Sequence, residues 1–186
     1  MTQNHENRFE ETTLSRESIY KGKIISLDVE QIRLPNGGQA TREIVRHPGA
    51  VCVIAILDGK LLVVDQYRKA LGKTIMEIPA GKLEPGEDPM EAAMRELEEE
   101  TGYSCGSLRK LSSFYTAPGF CDELIHLYLA EDLHEGEAHP DEDEFLDVLT
   151  LTPEEAERYM AEGRIQDAKT LMAVQAWELA RLKGQF

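Results

Sequence analysis

An α+β fold with helices layered on a mixed sheet is predicted by three features: apolar residues alternating at a period of two through much of the first third, one fully punctuated helix near the middle, and two helical segments at the carboxy-terminal end. Residues 24–34 and 41–46 read as strands of a long hairpin turned at Pro35-Asn36-Gly37-Gly38. Ile25, Leu27 and Val29 alternate in one phase and Ile32 and Leu34 in the other, which predicts a bulge or twist near Gln31. Residues 51–57 and 61–66 form a second hairpin around Asp58-Gly59, a dipeptide suited to a type I′ turn.

Residues 88–101 carry the full grammar of a helix. Asp88 is the N-cap, Pro89 occupies the first turn, Glu91 completes a capping box and Gly102 follows the last turn. Strands are predicted over 108–116, 124–130 and 145–151. Thr152-Pro153-Glu154-Glu155 then opens a short helix, and Asp167 caps a longer one with Ala173, Ala176, Trp177 and Ala180 as its apolar stripe.

Composition narrows the function. The 186 residues suffice for one compact domain with terminal elaborations. A formal charge of -15 repels nucleic acid and anionic membrane surfaces, so neither is an expected partner. A small anionic substrate stays open, because a bound divalent cation can invert the local potential. The three cysteines, Cys52, Cys105 and Cys121, lack metal-knuckle spacing and are expected as reduced thiols. The polar first residues and the short apolar runs point to a soluble, cytoplasmic protein.

Chemistry concentrates at residues 81–103. On a helix advancing about 100° per residue, Met90, Met94, Leu97 and Thr101 make a core-facing stripe, while Glu96, Glu99 and Glu100 share another side. A solvated acidic face is the plain alternative. Yet Glu98-Glu99-Glu100 stands at the carboxy-terminal end, where the helix dipole already disfavours anions, and like charges at i, i+4 repel. Hard cations relieve both problems, and Mg²⁺ prefers oxygen ligands while keeping waters that substrate oxygens can displace. Arg95 is suited to tie the helix to the preceding loop through a carboxylate such as Glu87.

From Gly81 through Glu87, Arg95, Glu96, Leu97, Glu99, Glu100 and Gly102 to Tyr103, the stretch resembles the Nudix box, G-x5-E-x7-R-E-U-x-E-E-x-G-U with U bulky and apolar. Only the aromatic Tyr103 departs from it. REIVRHPGAV, DQYRKALGKTIMEIPAGKLE, FYTAPGFCDE and DEDEFLDV extend the likeness to bacterial ADP-ribose pyrophosphatases over roughly residues 17–182.

The resemblance implies a Nudix-type α/β/α sandwich with a mixed sheet. It would comprise an N-terminal antiparallel strand region over 1–48 that forms a homodimer, and a catalytic domain over 49–186 as one continuous unit. It also implies hydrolysis of the pyrophosphate of ADP-ribose to AMP and ribose 5-phosphate by water activated with Mg²⁺, or with Mn²⁺. Metal ligands would be Glu96, Glu100, Glu99 and the Ala80 carbonyl, with Gly81, Glu87, Arg95 and Gly102 supporting the motif.

The general base would come from the acidic loop before the last strand: Glu144 first, then Glu142, with Asp141 and Asp143 behind, and Glu99 assisting. Arg68 would hold a phosphate oxygen, and Glu77 would meet the nucleotide. Arg42 and Arg46 would contact phosphate or ribose, and Gly119 and Phe120 would shape the ribose loop beside Pro118. Residues 23–28 offer aliphatic Ile24, Ile25 and Leu27 but no aromatic side chain where relatives often stack adenine, which opens base selectivity. Two alternatives compete: hydrolysis of another nucleotide sugar, and non-catalytic sensing of ADP-ribose, against which the intact glutamates argue.

Overall fold

The computed structural model describes residues 8–140 and 144–184. The chain divides into two compact units, Met1–Gly49 with Tyr115–Leu124, and Ala50–Phe114 with Ile125–Phe186. The division departs from a continuous domain after residue 48, because Tyr115–Leu124 finds its partners in the first unit. There the Val45 N–H donates to the Phe120 carbonyl at 2.7 Å, and Arg46 Nη1 donates to Asp122 at 3.1 Å.

The first unit is an antiparallel sheet of β1 (Thr12–Lys21), β2 (Ser26–Arg33) and β3 (Gln39–Arg46), in that order. The β2–β3 turn closes with Leu34 N–H on the Gly38 carbonyl, and Gly37 takes φ +85°, a conformation open to glycine. The irregularity expected near Gln31 lies across from it. The β2–β3 register runs unbroken, whereas Thr13 pairs with Ile32 and Ser15 with Gln31, leaving Leu14 as the extra residue on β1.

Burial on β2 also inverts the sequence reading, for the covered side chains are Asp28, Glu30 and Ile32. Two carboxylates tolerate that position because cations flank them. Glu30 accepts from Thr13 Oγ1 at 2.6 Å, Arg16 Nε at 2.8 Å and Arg46 Nη2 at 3.1 Å. The Thr13 hydrogen bond, then Arg16 and Arg46, hold its pKa below the ordinary carboxylate value against burial.

The second unit runs β4 (Ala50–Ile54), β5 (Ile56–Leu57), β6 (Lys60–Arg68), β7 (Lys73–Glu77), β8 (Ala80–Lys82), α1 (Pro89–Thr101), β9 (Tyr103–Tyr115), β10 (Leu124–Glu135), β11 (Leu146–Leu151), α2 (Pro153–Ala161) and α3 (Ala168–Leu182). Tyr115 and Leu124, at the ends of β9 and β10, belong to the first unit. One sheet orders as β8-β4-β10-β9, with β4 parallel to β10 and antiparallel to β8. The other orders as β11-β6-β5, with β7 also on β6. The apolar run 51–57 therefore breaks at Ala55 and serves both sheets. Asp58 and Gly59, at φ +50° and +75°, make the tight turn into β6.

All five residues of β4 are buried, which requires cover on both faces. Side chains alternate across a strand, so Cys52 and Ile54 meet Leu61, Val63, Ala173, Val174 and Trp177, while Val51 and Val53 meet Leu62, Ala92, Ala93 and Leu97. Helix α1 thus covers one face and α3, with Ala156 of α2, the other, giving a three-layer α/β/α sandwich. Burial pushes the Cys52 thiol up to about 12. Among the described residues no helix is long and apolar enough to cross a membrane.

Candidate active site

Helix α1 is fixed at its ends by Asp88 and Gly102, as its sequence nominates, while the Glu91 side chain does not return a bond to the Asp88 N–H, so the expected capping box is only half made. The Asp88 carboxylate accepts from the N–H groups of Met90 at 2.8 Å and Glu91 at 3.3 Å. At the other end Gly102 takes φ +76°, and a Cβ there would lie 2.8 Å from the Ala138 nitrogen, so both conformation and space demand glycine. The His139 N–H then bonds to the Glu99 carbonyl at 2.9 Å, tying the following chain to the helix end.

The face that α1 buries differs from the expected stripe. Ala92, Ala93, Leu97, Glu100 and Thr101 are covered, whereas Met90 and Met94 remain 41% and 37% exposed. Two alanines let the helix lie close to β4, which turns the long methionines outward. Glu100 is consequently brought inward and is 1% exposed.

Glu100 Oε2 accepts the Ala80 N–H at 2.9 Å, and among the described residues no cation pairs with its carboxylate. Burial pushes its pKa up to about 8, with Glu144 and Glu96 adding repulsion and the Ala80 hydrogen bond opposing. Glu96 rests on Gly81: a Cβ at Gly81 would fall 1.8 Å from Glu96 Cδ, inside the carboxylate. Burial raises the Glu96 pKa too. Arg95 opposes that rise, and Glu99 and Glu144 reinforce it.

Arg95 organises the exposed side of the patch. Its Nε and Nη2 donate to the two oxygens of Glu87 at 2.9 and 3.2 Å, while Nη1 donates to Glu96 at 2.9 Å and Glu99 at 2.7 Å. With Arg95 drawing Glu96 and Glu99 to itself, no three carboxylate, imidazole or thiol groups among the described residues converge closely enough to hold a metal ion by themselves. The donor set suits a hard cation that keeps much of its water. A buried carboxylate with one N–H partner stands beside a second whose protonation repulsion also favours.

Arg68 ends β6 and Glu77 ends β7. Arg68 Nε and Nη2 fork onto Glu77 at 2.5 and 3.0 Å, and Lys169 Nζ shares Glu77 Oε2. Glu77 is 2% exposed with both oxygens engaged, so the structure gives it an internal task in place of the direct nucleotide contact expected from its position beside the box. Burial works against its charge, and the Arg68 hydrogen bond with Lys169 more than offsets this, lowering its pKa. Arg68 and Glu100 stabilise each other's charge, which puts the guanidinium within electrostatic reach of the carboxylate patch.

In the first unit, Arg42, Arg46, Gly119 and Phe120 line one cavity of ≈ 370 Å³ together with Glu11, Tyr115 and Pro118. Arg42 is engaged by Glu11, and Arg46 by Glu30 and Asp122. Tyr115 and Phe120 bring to this wall aromatic surface that residues 23–28 lack. Tyr115 stands in FYTAPGFCDE, a stretch that carries the family likeness, and its place in that stretch is the sequence signal for it. Asp141, Glu142 and Asp143 lie outside the described residues. Glu144 is described, and its charge reaches Glu96 and Glu100.

Glu100 buried, Glu96 half-buried against Gly81 and Arg95 spanning the exposed side stand together at the end of one helix, and the chain that carries them belongs to the Nudix family of hydrolases. The NUDIX domain matches residues 46–174, and the nucleoside diphosphate sugar hydrolase N-terminal domain matches residues 11–45. Among individual relatives, the chain is 51% identical over 173 residues to the ADP-ribose pyrophosphatase of Bacillus subtilis (strain 168), covering 91% of this chain and 94% of that one. It is 56% identical over 174 residues to the methanol dehydrogenase activator of Bacillus methanolicus, covering 92% and 94%. Its fold matches the crystal structure of an ADP compounds hydrolase with a TM-score of 0.82 at 23% identity, over 95% of this chain and 96% of that one.

Proposed function

We propose that the protein hydrolyses the pyrophosphate bond of ADP-ribose to AMP and ribose 5-phosphate in the cytoplasm, with Mg²⁺ as the metal and Mn²⁺ able to replace it. The observation that carries this reading is Glu100, a carboxylate removed from water, held by a single N–H and pressed by neighbouring carboxylates. Glu96, Glu99, Glu100 and the Ala80 carbonyl would hold the metal, which when bound supplies charge neutralisation for the diphosphate and acidifies a water. Arg68 binds a phosphate oxygen. Glu144, or Glu142 after it, takes the proton of the attacking water. Arg42 and Arg46 contact phosphate or ribose, and Gly119 and Phe120 shape the loop around a ribose. The ADP-ribose assignment is supported by the 51% identity to a pyrophosphatase named for that substrate.

A panel of ADP-ribose, GDP-mannose and dinucleoside polyphosphates tests the assignment. The expected result is Mg²⁺-dependent AMP release with the highest kcat/KM on ADP-ribose, and a better substrate elsewhere in the panel overturns it. The 56% identity to a methanol dehydrogenase activator favours a second reading, in which the chain raises the rate of such a dehydrogenase. Adding the protein to methanol dehydrogenase separates the two, since no stimulation removes the second reading.

We further infer a homodimer formed through the first unit. All ten residues of β1 are exposed, with Leu14, Ile19 and Tyr20 among them, and β1 is an edge strand. Sedimentation equilibrium should return twice the 20.9 kDa chain mass, and a monomer at micromolar concentration would refute the dimer.

A further inference from the structure

We propose that Lys169 is a positioning residue for substrate binding: by sharing the charge of Glu77, it leaves the Arg68 guanidinium free to bind a diphosphate oxygen. The inference rests on the reading of Arg68 as a phosphate ligand. Alone, Arg68 and Glu77 form a neutral forked pair, and an arginine fully matched by a buried carboxylate has little net attraction for a second anion. Lys169 changes that balance. Its Nζ donates to Glu77 Oε2, the oxygen that also accepts from Arg68 Nη2. Glu77 thereby divides its charge between two cations, and among the described residues Arg68 Nη1 has no protein partner.

Asp167 cancels only part of the effect. It also accepts from Lys169, at 2.9 Å, but it is the N-cap of α3 and its Oδ1 takes the Thr170 N–H at 3.1 Å. The positive end of a fifteen-residue helix thus takes up part of the Asp167 charge. The geometry is rigid on both sides. Thr170, fully buried, accepts the Ile78 N–H through Oγ1 at 2.9 Å, one residue beyond Glu77, so the first turn of α3 is fastened to the chain that presents Glu77. Burial opposes the Lys169 charge, while Asp167 and Glu77 more than restore it, keeping its pKa raised and the ammonium charged.

Three variants test the proposal: Lys169→Met, the double variant Lys169→Met/Glu77→Gln, and Arg68→Gln. KM and kcat for ADP-ribose are measured with Mg²⁺, and Kd for ADP-ribose by calorimetry with the metal chelated. Lys169→Met is expected to raise KM and Kd about tenfold with kcat changed less than about threefold, the size of a lost charge-assisted interaction. The double variant removes the charge that Lys169 balances, so its KM should return to within about threefold of wild type, which loss of a merely structural contact would not do. If Lys169→Met is too unstable to assay, the double variant decides alone: KM near wild type supports the proposal, and KM raised about tenfold or more overturns it. Unchanged binding in Lys169→Met, with Arg68→Gln weakened, overturns the Lys169 proposal while sparing the Arg68 reading. Unchanged binding in Arg68→Gln removes both.

Discussion

Glu100→Gln is expected to reduce kcat/KM for ADP-ribose by about a thousandfold while raising the melting temperature of the metal-free protein at neutral pH and above. The opposite signs follow from one cause. With its pKa raised from 4.5 to about 8, the folded protein keeps a proton on Glu100 that the unfolded chain has already released between those values. Stability of the metal-free protein from this group therefore falls as pH climbs from 4.5 to 8, and above 8 the full cost of a buried anion remains. Glutamine fills the same space without charge and removes that slope. A divalent cation bound to the deprotonated folded state works in the other direction, so added Mg²⁺ should stabilise wild type most at alkaline pH and the variant hardly at all. Melting curves at pH 5, 7 and 9, with chelator and with Mg²⁺, read all of this. Retained activity, or an identical pH slope in the two proteins, would remove Glu100 from the metal site.

Gly81→Ala is expected to lower kcat/KM by about a hundredfold with little loss of stability, because a displacement of about 1 Å at a reacting centre can cost that much. The new methyl would overlap the Glu96 carboxylate, with Cβ 1.8 Å from Cδ. Two exits exist, backbone shift or side-chain rotation, and rotation wins because the obstructing atoms are the far end of a flexible chain. The fold survives and the carboxylate moves. Combining Gly81→Ala with Glu96→Ala should therefore be no worse than Glu96→Ala alone, since both remove the same group. Additive losses in the double variant would mean that Gly81 acts through something other than Glu96.

The parts of the fold governed by neighbouring residues were legible in the sequence. Asp88, Pro89 and Gly102 bounded α1, Thr152 and Asp167 started α2 and α3, and Asp58-Gly59 turned β5 into β6. Tertiary packing overrode the rest. Hydrophobicity nominated Met90 and Met94 for the core, but the close approach of α1 to β4 selected Ala92 and Ala93. Strand β1, TTLSRESIYK, has no apolar face to announce it, and it forms because β2 offers a pairing edge. Asp28 and Glu30 look like surface residues until Arg16 and Arg46 arrive from flanking strands. In the candidate site, the motif identified the glutamates and their arginine. Lys169 gave no signal, since its partner Glu77 lies 92 residues earlier and a single lysine opening a helix reads as a solvated side chain.

Cys52 turns the central strand into a clock. Its thiol has no exposed surface and is held almost wholly protonated, so an alkylating reagent meets a reactive form only after β4 parts from its neighbours. Cys105 and Cys121 are partly exposed and would label without that delay. The slow third modification therefore counts how often the sandwich breathes, and its slowing on nucleotide addition would report, one opening at a time, how firmly the bound ligand holds the layers closed.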